Sequence, residues 1–272
     1  DIIMGHVQRF ERGNLYVDLG RVTAIMPYEE QIPGERFKPG ERIRALLLAV
    51  EETPRGSVVK RSRAQPDFLA NLFAIEAPEL QSGAVEAKAI AREAGARSKI
   101  AVHANDQHID PVGSLVGQRG VRVSTVMSEL GGEKIDIIEW SPDIATFIED
   151  ALSPAQVLKV TIQSQPDEEK GERGHAVVEV SPDQQSLAIG RGGQNVRLAA
   201  KLTGWKIDIT SAQSNKPTED EEVLESEDAT TTKPDIEEVL EAEEETKDRD
   251  VVEGSEEADE VDTPEEAEEQ LK

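Results

Sequence analysis

Residues 2–63 fall into short β-rich runs in which apolar and polar positions are interleaved or briefly clustered, IIMGHVQRF, LYVDL, VTAIM, RIRALLLAVEE and SVVKRSR. Turn-forming residues separate the runs at Arg12-Gly13, Gly20-Arg21, Pro33-Gly34, Pro39-Gly40 and Pro54-Arg55-Gly56. Five short strands at this spacing predict a small closed barrel, and a five-stranded barrel of this length suggests an OB-fold.

After Pro66 the pattern changes to helical spacing. Phe68, Leu69, Leu72, Phe73 and Ile75 are spaced to share one helix face, and two strand-like runs follow, VEAKAIARE and SKIAVHA. From Asp110 the pattern reads helix, turn, helix, strand, with Asp110 as N-cap and Pro111 at the first helical position, where no intrahelical donor is lost. The same order then returns. Ser141-Pro142 predicts a helix start running through Leu152, LKVTIQS and HAVVEVS predict a hairpin, and Ser181-Pro182 with Gln184 reads as a capping box opening a further helix.

The return is a repeat. VGQRGVRVSTVMSELGGEKIDI, ending at Ile137, is similar to IGRGGQNVRLAAKLTGWKIDI, ending at Ile209. Gly117, Gly120 and Val123 match Gly190, Gly193 and Val196 at an offset of 73, while Leu130, Gly132 and the first KIDI match Leu202, Gly204 and the second at 72. One deletion reconciles them, giving two copies of an α/β unit of about 70 residues.

Charge changes the picture only at the end of the chain. Of a net charge of −26, residues 213–272 carry −21, from 26 acidic and 5 basic residues, which leaves −5 on residues 1–212. The terminal segment has no aromatic residue and no sustained apolar periodicity, so it cannot offset the entropy of ordering and is expected to be disordered. The absence of cysteine excludes disulfides, thiolate zinc sites and Cys nucleophiles, and favours a cytoplasmic protein. Apolar runs such as ALLLAV at 45–50 fall far short of the roughly 20 residues of a membrane helix, and no signal-peptide pattern opens the chain. No membrane partner is expected. The chain begins at Asp1, within a strand-like alternation and without an initiator Met, and reads as part of a longer protein with an N-terminal domain outside it.

A lone G-x-x-G carries little weight, because Gly at about 7% of positions gives about one or two by chance. Gly171-Glu172-Arg173-Gly174 falls between strand-like segments and reads as a hairpin loop. The other two lie between paired helices of the repeated unit. A helix beginning beside a glycine pair lets a nucleic-acid backbone approach closely, exposes unpaired amide N–H groups and favours phosphate. Gly117, Gln118, Arg119 and Gly120, with Gly190, Arg191, Gly192 and Gly193, are therefore candidate contacts to single-stranded RNA or DNA. Arg122, Arg197 and Lys201 on the following helices are expected to make the same edge basic. The alternative is that the glycines only permit a tight helix–helix turn.

MPYEEQIPGERFKPGERIRALLLAVE, RSRAQPDFLANLF, AREAGARSKIAVH, IDPVGSLVGQRG and AIGRGGQNVRLAAKLTGWKIDI each resemble segments of the bacterial NusA transcription-factor family, over residues 1–212. The resemblance implies a multidomain protein: an all-β OB-fold (S1) barrel at 1–64, α/β type II KH domains at 65–140 and 141–212, and a disordered acidic tail at 213–272. It implies binding of single-stranded nascent RNA and modulation of RNA polymerase pausing, termination and antitermination. The polymerase contact is expected mainly through the N-terminal domain outside this chain, with other transcription factors as further partners. In the barrel it points to Tyr16 and Phe10 as RNA-facing aromatics, while the loop position where such domains often carry His reads Pro27. Half-buried packing is the alternative for both aromatics.

No enzyme is expected. The alternative class is an accessory subunit of an RNA-degrading complex, but no catalytic constellation is visible and those proteins usually place KH before S1. His6, His103, His108 and His175 do not cluster with carboxylates at ligand spacing, so neither metal nor cofactor is expected. A chaperone-like role for the acidic tail would require it to bind basic partners by itself.

The tail supports one prediction. A flexible segment of this length reaches roughly 40 Å or more and acts at an effective concentration of order mM, so it can compete with RNA for a basic edge or serve only as a solubilising extension. If it competes, removing residues 214–272 tightens RNA binding at low salt and has little effect at high salt, where exposed charges are screened within about 8 Å. Matched titrations of full-length and truncated protein separate the two: equal affinities at every salt leave the solubilising role.

Overall fold

The computed structural model describes residues 1–53, 56–167 and 170–212. The tail expected at 213–272, and the Pro54-Arg55 part of one predicted turn, lie outside the described residues.

The five β-rich runs form β1 (Ile2–Glu11), β2 (Asn14–Asp18), β3 (Thr23–Met26), β4 (Arg42–Thr53) and β5 (Gly56–Ser62). They close a barrel in the order β1-β2-β3-β5-β4, with β3 and β5 parallel and the other pairs antiparallel. Val7, Leu15, Val17, Ala24, Met26, Ile43, Ala45 and Val59 fill its interior.

Two α/β units follow in one order. The first comprises α1 (Pro66–Glu76), α2 (Pro78–Gln81), β6 (Val85–Glu93), β7 (Arg97–Ala104), α3 (Pro111–Val116), α4 (Val121–Glu129) and β8 (Lys134–Glu139). The second comprises α5 (Ile144–Ala151), β9 (Val157–Ser164), β10 (His175–Val180), α6 (Gln185–Ile189), α7 (Gln194–Thr203) and β11 (Lys206–Ser211). In each, a hairpin precedes a helix–loop–helix, and the last strand joins the sheet parallel to the strand before that pair of helices. This is the type II KH arrangement, so the chain is an OB-type barrel followed by two KH units. The third G-x-x-G lies in the β9–β10 hairpin, as its flanking strands imply.

Three local expectations need correction. Ile75 is 57% exposed; on a helix of 3.6 residues per turn it lies about 90° from the centre of the arc that buries Phe68, Leu69, Leu72 and Phe73. The helix expected from Ser141 starts at Ile144, because the Asp143 carboxylate accepts from the Thr146 N–H at 2.9 Å and from its hydroxyl at 2.7 Å, taking the N-cap role. Ser141 instead accepts from the Asp143 N–H. No capping box forms at Ser181. The Gln184 N–H donates to the Ser181 carbonyl in a turn, and α6 begins after Gln184 without a side-chain cap. By contrast Asp110 caps α3, accepting from the Gly113 N–H at 2.9 Å.

The units pack into one body. β7 is buried on both faces: Ile100 and Val102 join the first unit's own core, whereas Ala101, with Ala91 and Ile138, packs against Phe147, Ile148, Leu198 and Leu202 of the second. Lys99, fully buried, donates to Asp136 at 3.1 Å and to the Ser153 carbonyl at 2.7 Å, bridging the units, and burial lowers its pKa. The barrel joins the first KH unit through Ile32 and Leu46, which lie in that unit's core, and through Arg63. Arg63 is 2% exposed and donates to both oxygens of Glu35, to the side chain and carbonyl of Glu129 and to the Arg44 carbonyl. Burial opposes its charge, but the hydrogen bonds it donates to Glu35 and Glu129, with their negative charges, outweigh that and raise its pKa.

Arg61 differs. It is fully buried on β5, and among the described residues it donates only to the Ala45 carbonyl, at 3.0 Å, while its Nε and Nη1 have no partner. Burial, with Arg63 nearby, pushes its pKa down to about 10. A buried charge without a counter-ion costs stability that an apolar side chain of similar size does not. Arg61→Met is therefore expected to raise the thermal midpoint, by about 2–4 °C per kcal/mol gained. A lowered midpoint in a scanning calorimeter would contradict this.

Candidate nucleic-acid interface

The two glycine loops have one geometry. α3 ends at Gly117 (φ 72, ψ 174) and α6 at Gly190 (φ 75, ψ 170). A short 3-10 turn then runs through Arg119 (φ 54, ψ 26) or Gly192 (φ 59, ψ 27) to Gly120 or Gly193, both left-handed at φ 76 and 73, and the second helix begins. Gly117 and Gly190 are required by what lies beneath them. A Cβ at Gly117 would sit 2.7 Å from the Arg122 Cγ, and one at Gly190 2.8 Å from the Asn195 Cβ and backbone nitrogen.

Arg122 and Asn195 are themselves repeat partners at the offset of 73, and each pins the end of the preceding helix. Arg122 Nη1 donates to the Ser114 carbonyl at 2.5 Å; Asn195 Nδ2 donates to the carbonyl of the corresponding residue, Leu187, at 3.3 Å, and to those of Ala188 and Leu152. This revises the expectation for Arg122. Its guanidinium is half-buried and paired with Glu79 at 3.0 Å, so it braces the loop and adds no free charge to the edge. Arg197 is also paired, with Glu93 of the first unit at 2.6 Å.

The loop interiors, Gln118-Arg119 and Arg191-Gly192, are exposed, and among the described residues Arg119, Arg191 and Lys201 have no ion-pair partner. Beside the first loop lies a groove of about 790 Å³ bounded by Glu79, Asp110, Ser114, Gln118, Val121 and Arg122. The repeat-equivalent groove at the second loop, about 410 Å³, is bounded by Leu187, Arg191 and Gln194, and on its other side by Ala96, Arg97 and Lys134 of the first unit. The second loop therefore opens onto a cleft that both units build. Arg97 there is held charged by Asp136, whose carboxylate accepts from it at 2.7 and 2.9 Å and raises its pKa. A third groove, about 610 Å³, runs between α7 and β11 over Val196, Ala200, Trp205 and Ile207, with Arg173 and Lys206 at its edge.

On the barrel, Tyr16 and Phe10 both lie outside the core. Tyr16 is half-buried on β2 with the Arg9 guanidinium 4.0 Å from its ring centroid, and Phe10 on β1 is 47% exposed. Three residues of the interface and its support, Tyr28, Asn195 and Glu93, are not among those the sequence singles out. Tyr28, 74% exposed, directly follows the Pro27 noted above and approaches the Gly13 turn. Asn195 carried a signal, since it matches Arg122 in the repeat. Glu93 carried none, because its partners are about a hundred positions away in sequence. Among the described residues no group of three or more His, Asp or Glu is placed to hold a metal ion.

A barrel and two KH units bearing matched glycine loops define an array of nucleic-acid-binding modules. Residues 1–62 match the S1 RNA binding domain family, residues 63–140 the NusA-like first KH domain and residues 144–217 the NusA-like second KH domain. The S1–KH–KH body belongs to the NusA family. It is 50% identical over 212 residues to the transcription termination/antitermination protein NusA of Bacillus subtilis, covering 78% of this chain and 55% of that protein. The NusA of Halalkalibacterium halodurans is also 50% identical over 212 residues, and that of Thermus thermophilus 47% over 213; each alignment covers 78% of this chain and 53% of the relative. The chain spans about half the length of these curated relatives.

Proposed function

We propose that this chain binds single-stranded RNA along one continuous surface over both KH units, with the outer face of the barrel as an additional contact. Within a NusA protein it serves transcription termination and antitermination by holding nascent RNA beside the polymerase. The observation that carries this reading is the pair of loops with matched backbone in one packed body, the second opening onto a cleft walled by the first unit. A strand leaving the first unit past Arg97 and Lys134 meets the second loop at Arg191 without crossing a flexible linker.

The contacts fall into two kinds. Gln118, Arg119, Gly120, Arg191, Gly192 and Gly193 offer side-chain and backbone donors to phosphates. The groove between α7 and β11 offers apolar surface to unstacked bases. Phe10, Tyr16 and Tyr28 present rings on which bases can stack. Lys201 adds a charge on α7, two turns beyond the second loop.

Shallow grooves beside loops suit an unpaired strand better than a duplex. With about four to six phosphates engaged, log affinity should fall against log salt with a slope of about −3 to −4 for single strands. Titration of one RNA at several salt concentrations, alone and annealed to its complement, checks the slope and the preference. Equal affinity for the duplex would sink the reading.

A further inference from the structure

Glu93 ends β6 in the first KH unit, yet its carboxylate is engaged by the second. Oε1 accepts from Arg197 Nε at 2.6 Å, and Oε2 accepts from Arg197 Nη2 at 3.2 Å and from Gln194 Nε2 at 2.8 Å. Arg197 Nη1 donates to the carbonyl of Gly192, at the tip of the second loop, at 3.0 Å. Gln194 is the first residue of α7, directly after Gly193. A carboxylate from one unit thus stands among side-chain donors on the helix that follows the glycine loop of the other. The hydrogen bond from Arg197, ahead of the other influences, holds the Glu93 carboxyl below its usual range, and the same contact raises Arg197, so both are ionised. The pair is open to solvent, with Arg197 47% and Glu93 21% exposed.

A phosphate is the oxyanion expected at this loop, and it calls on the same donors. Arg197 has five N–H groups, of which Glu93 and Gly192 occupy three, so its outer edge can reach a phosphate while the carboxylate stays in place. Its positive charge is then largely cancelled. The first loop has no counterpart: the position matching Arg197 at the offset of 73 is Ser124, and Arg122 pairs with Glu79 of its own unit.

We propose that Glu93 is an internal competitor of RNA phosphate at the second KH loop, a residue of the first unit that sets the affinity of the second by neutralising Arg197. The inference rests on the reading of these loops as RNA-binding. Glu93→Gln keeps the volume and an oxygen to accept from Arg197 but removes the charge. An unstructured RNA of about ten nucleotides, titrated against the whole chain, should then bind about five-fold more tightly at low salt. The slope of log affinity against log salt should steepen by about 0.7, the value for one additional phosphate contact on a single strand. Arg197→Gln should change little in the native background and should abolish the gain in the Glu93→Gln background. Equal or weaker binding by Glu93→Gln with an unchanged slope overturns the proposal. A purely structural role for Glu93 would lower the thermal midpoint and leave the slope alone. Failure of the unmodified chain to bind RNA at any salt would instead overturn the functional reading beneath it.

Discussion

Replacing Gln118 and Arg119 together, or Arg191 and Gly192 together, by aspartate is expected to weaken binding of single-stranded RNA by more than about 2 kcal/mol, roughly 30-fold, for each pair. The four positions are exposed at the loop tips, so the introduced carboxylates face the strand and not the core. The fold tolerates them. Arg119 already shows that a side chain can occupy the left-handed conformation at φ 54, Gly192 sits at φ 59 with nothing within 4 Å of where a Cβ would be, and Asp is among the few residues that adopt this region readily. Circular dichroism should be unchanged while anisotropy titrations shift. Gly190→Ala is the contrasting control: its Cβ would meet the Asn195 backbone at 2.8 Å at a φ of 75, so the fold itself is expected to suffer.

Arg63→Ala should cost about 3–5 kcal/mol of stability, because it leaves the largely buried Glu35 carboxylate, and Glu129 with only Arg44 at 3.7 Å, without their common counter-ion between barrel and first KH unit. The partial exposure of Glu129, at 27%, places the expectation toward the lower end of that range. Arg63→Lys should recover little of the loss. Five hydrogen bonds in a planar fork hold two carboxylate groups and two carbonyls, and a single ammonium cannot reproduce that geometry. Denaturant unfolding of the three proteins measures both differences. A loss below about 1 kcal/mol for the alanine variant would mean that Arg63 does not hold the two modules together.

The strands and the repeat were legible because β-rich runs are bounded by turn residues and the glycines recur at a fixed offset. In β7 the apolar stretch is Ile100-Ala101-Val102, and its alternate residues face the cores of two different units. Helix starts were less legible wherever several capping residues compete. Asp143 wins over Ser141 because a carboxylate takes two donors of Thr146, and nothing in the spacing ranks the two. The loops themselves followed from the repeated glycines. Their electrostatics did not, since a count of arginines on a helix cannot show that Arg122 is clamped by Glu79 from α2, or Arg197 by Glu93 from another unit. The free charge of the edge is accordingly smaller than the sequence suggested, and the backbone of the loops bears more of the proposed contact.

A continuous RNA surface requires that the two loops hold one strand. The most direct measurement is the affinity of unstructured RNAs of increasing length for the native chain and for the two aspartate-pair variants. With about four nucleotides per KH module, affinity should climb until the strand reaches about eight nucleotides or more, and each variant should bind the long RNA no better than the native chain binds a short one. Affinity that levels off at about four nucleotides, or that depends on one loop alone, would contradict a continuous surface.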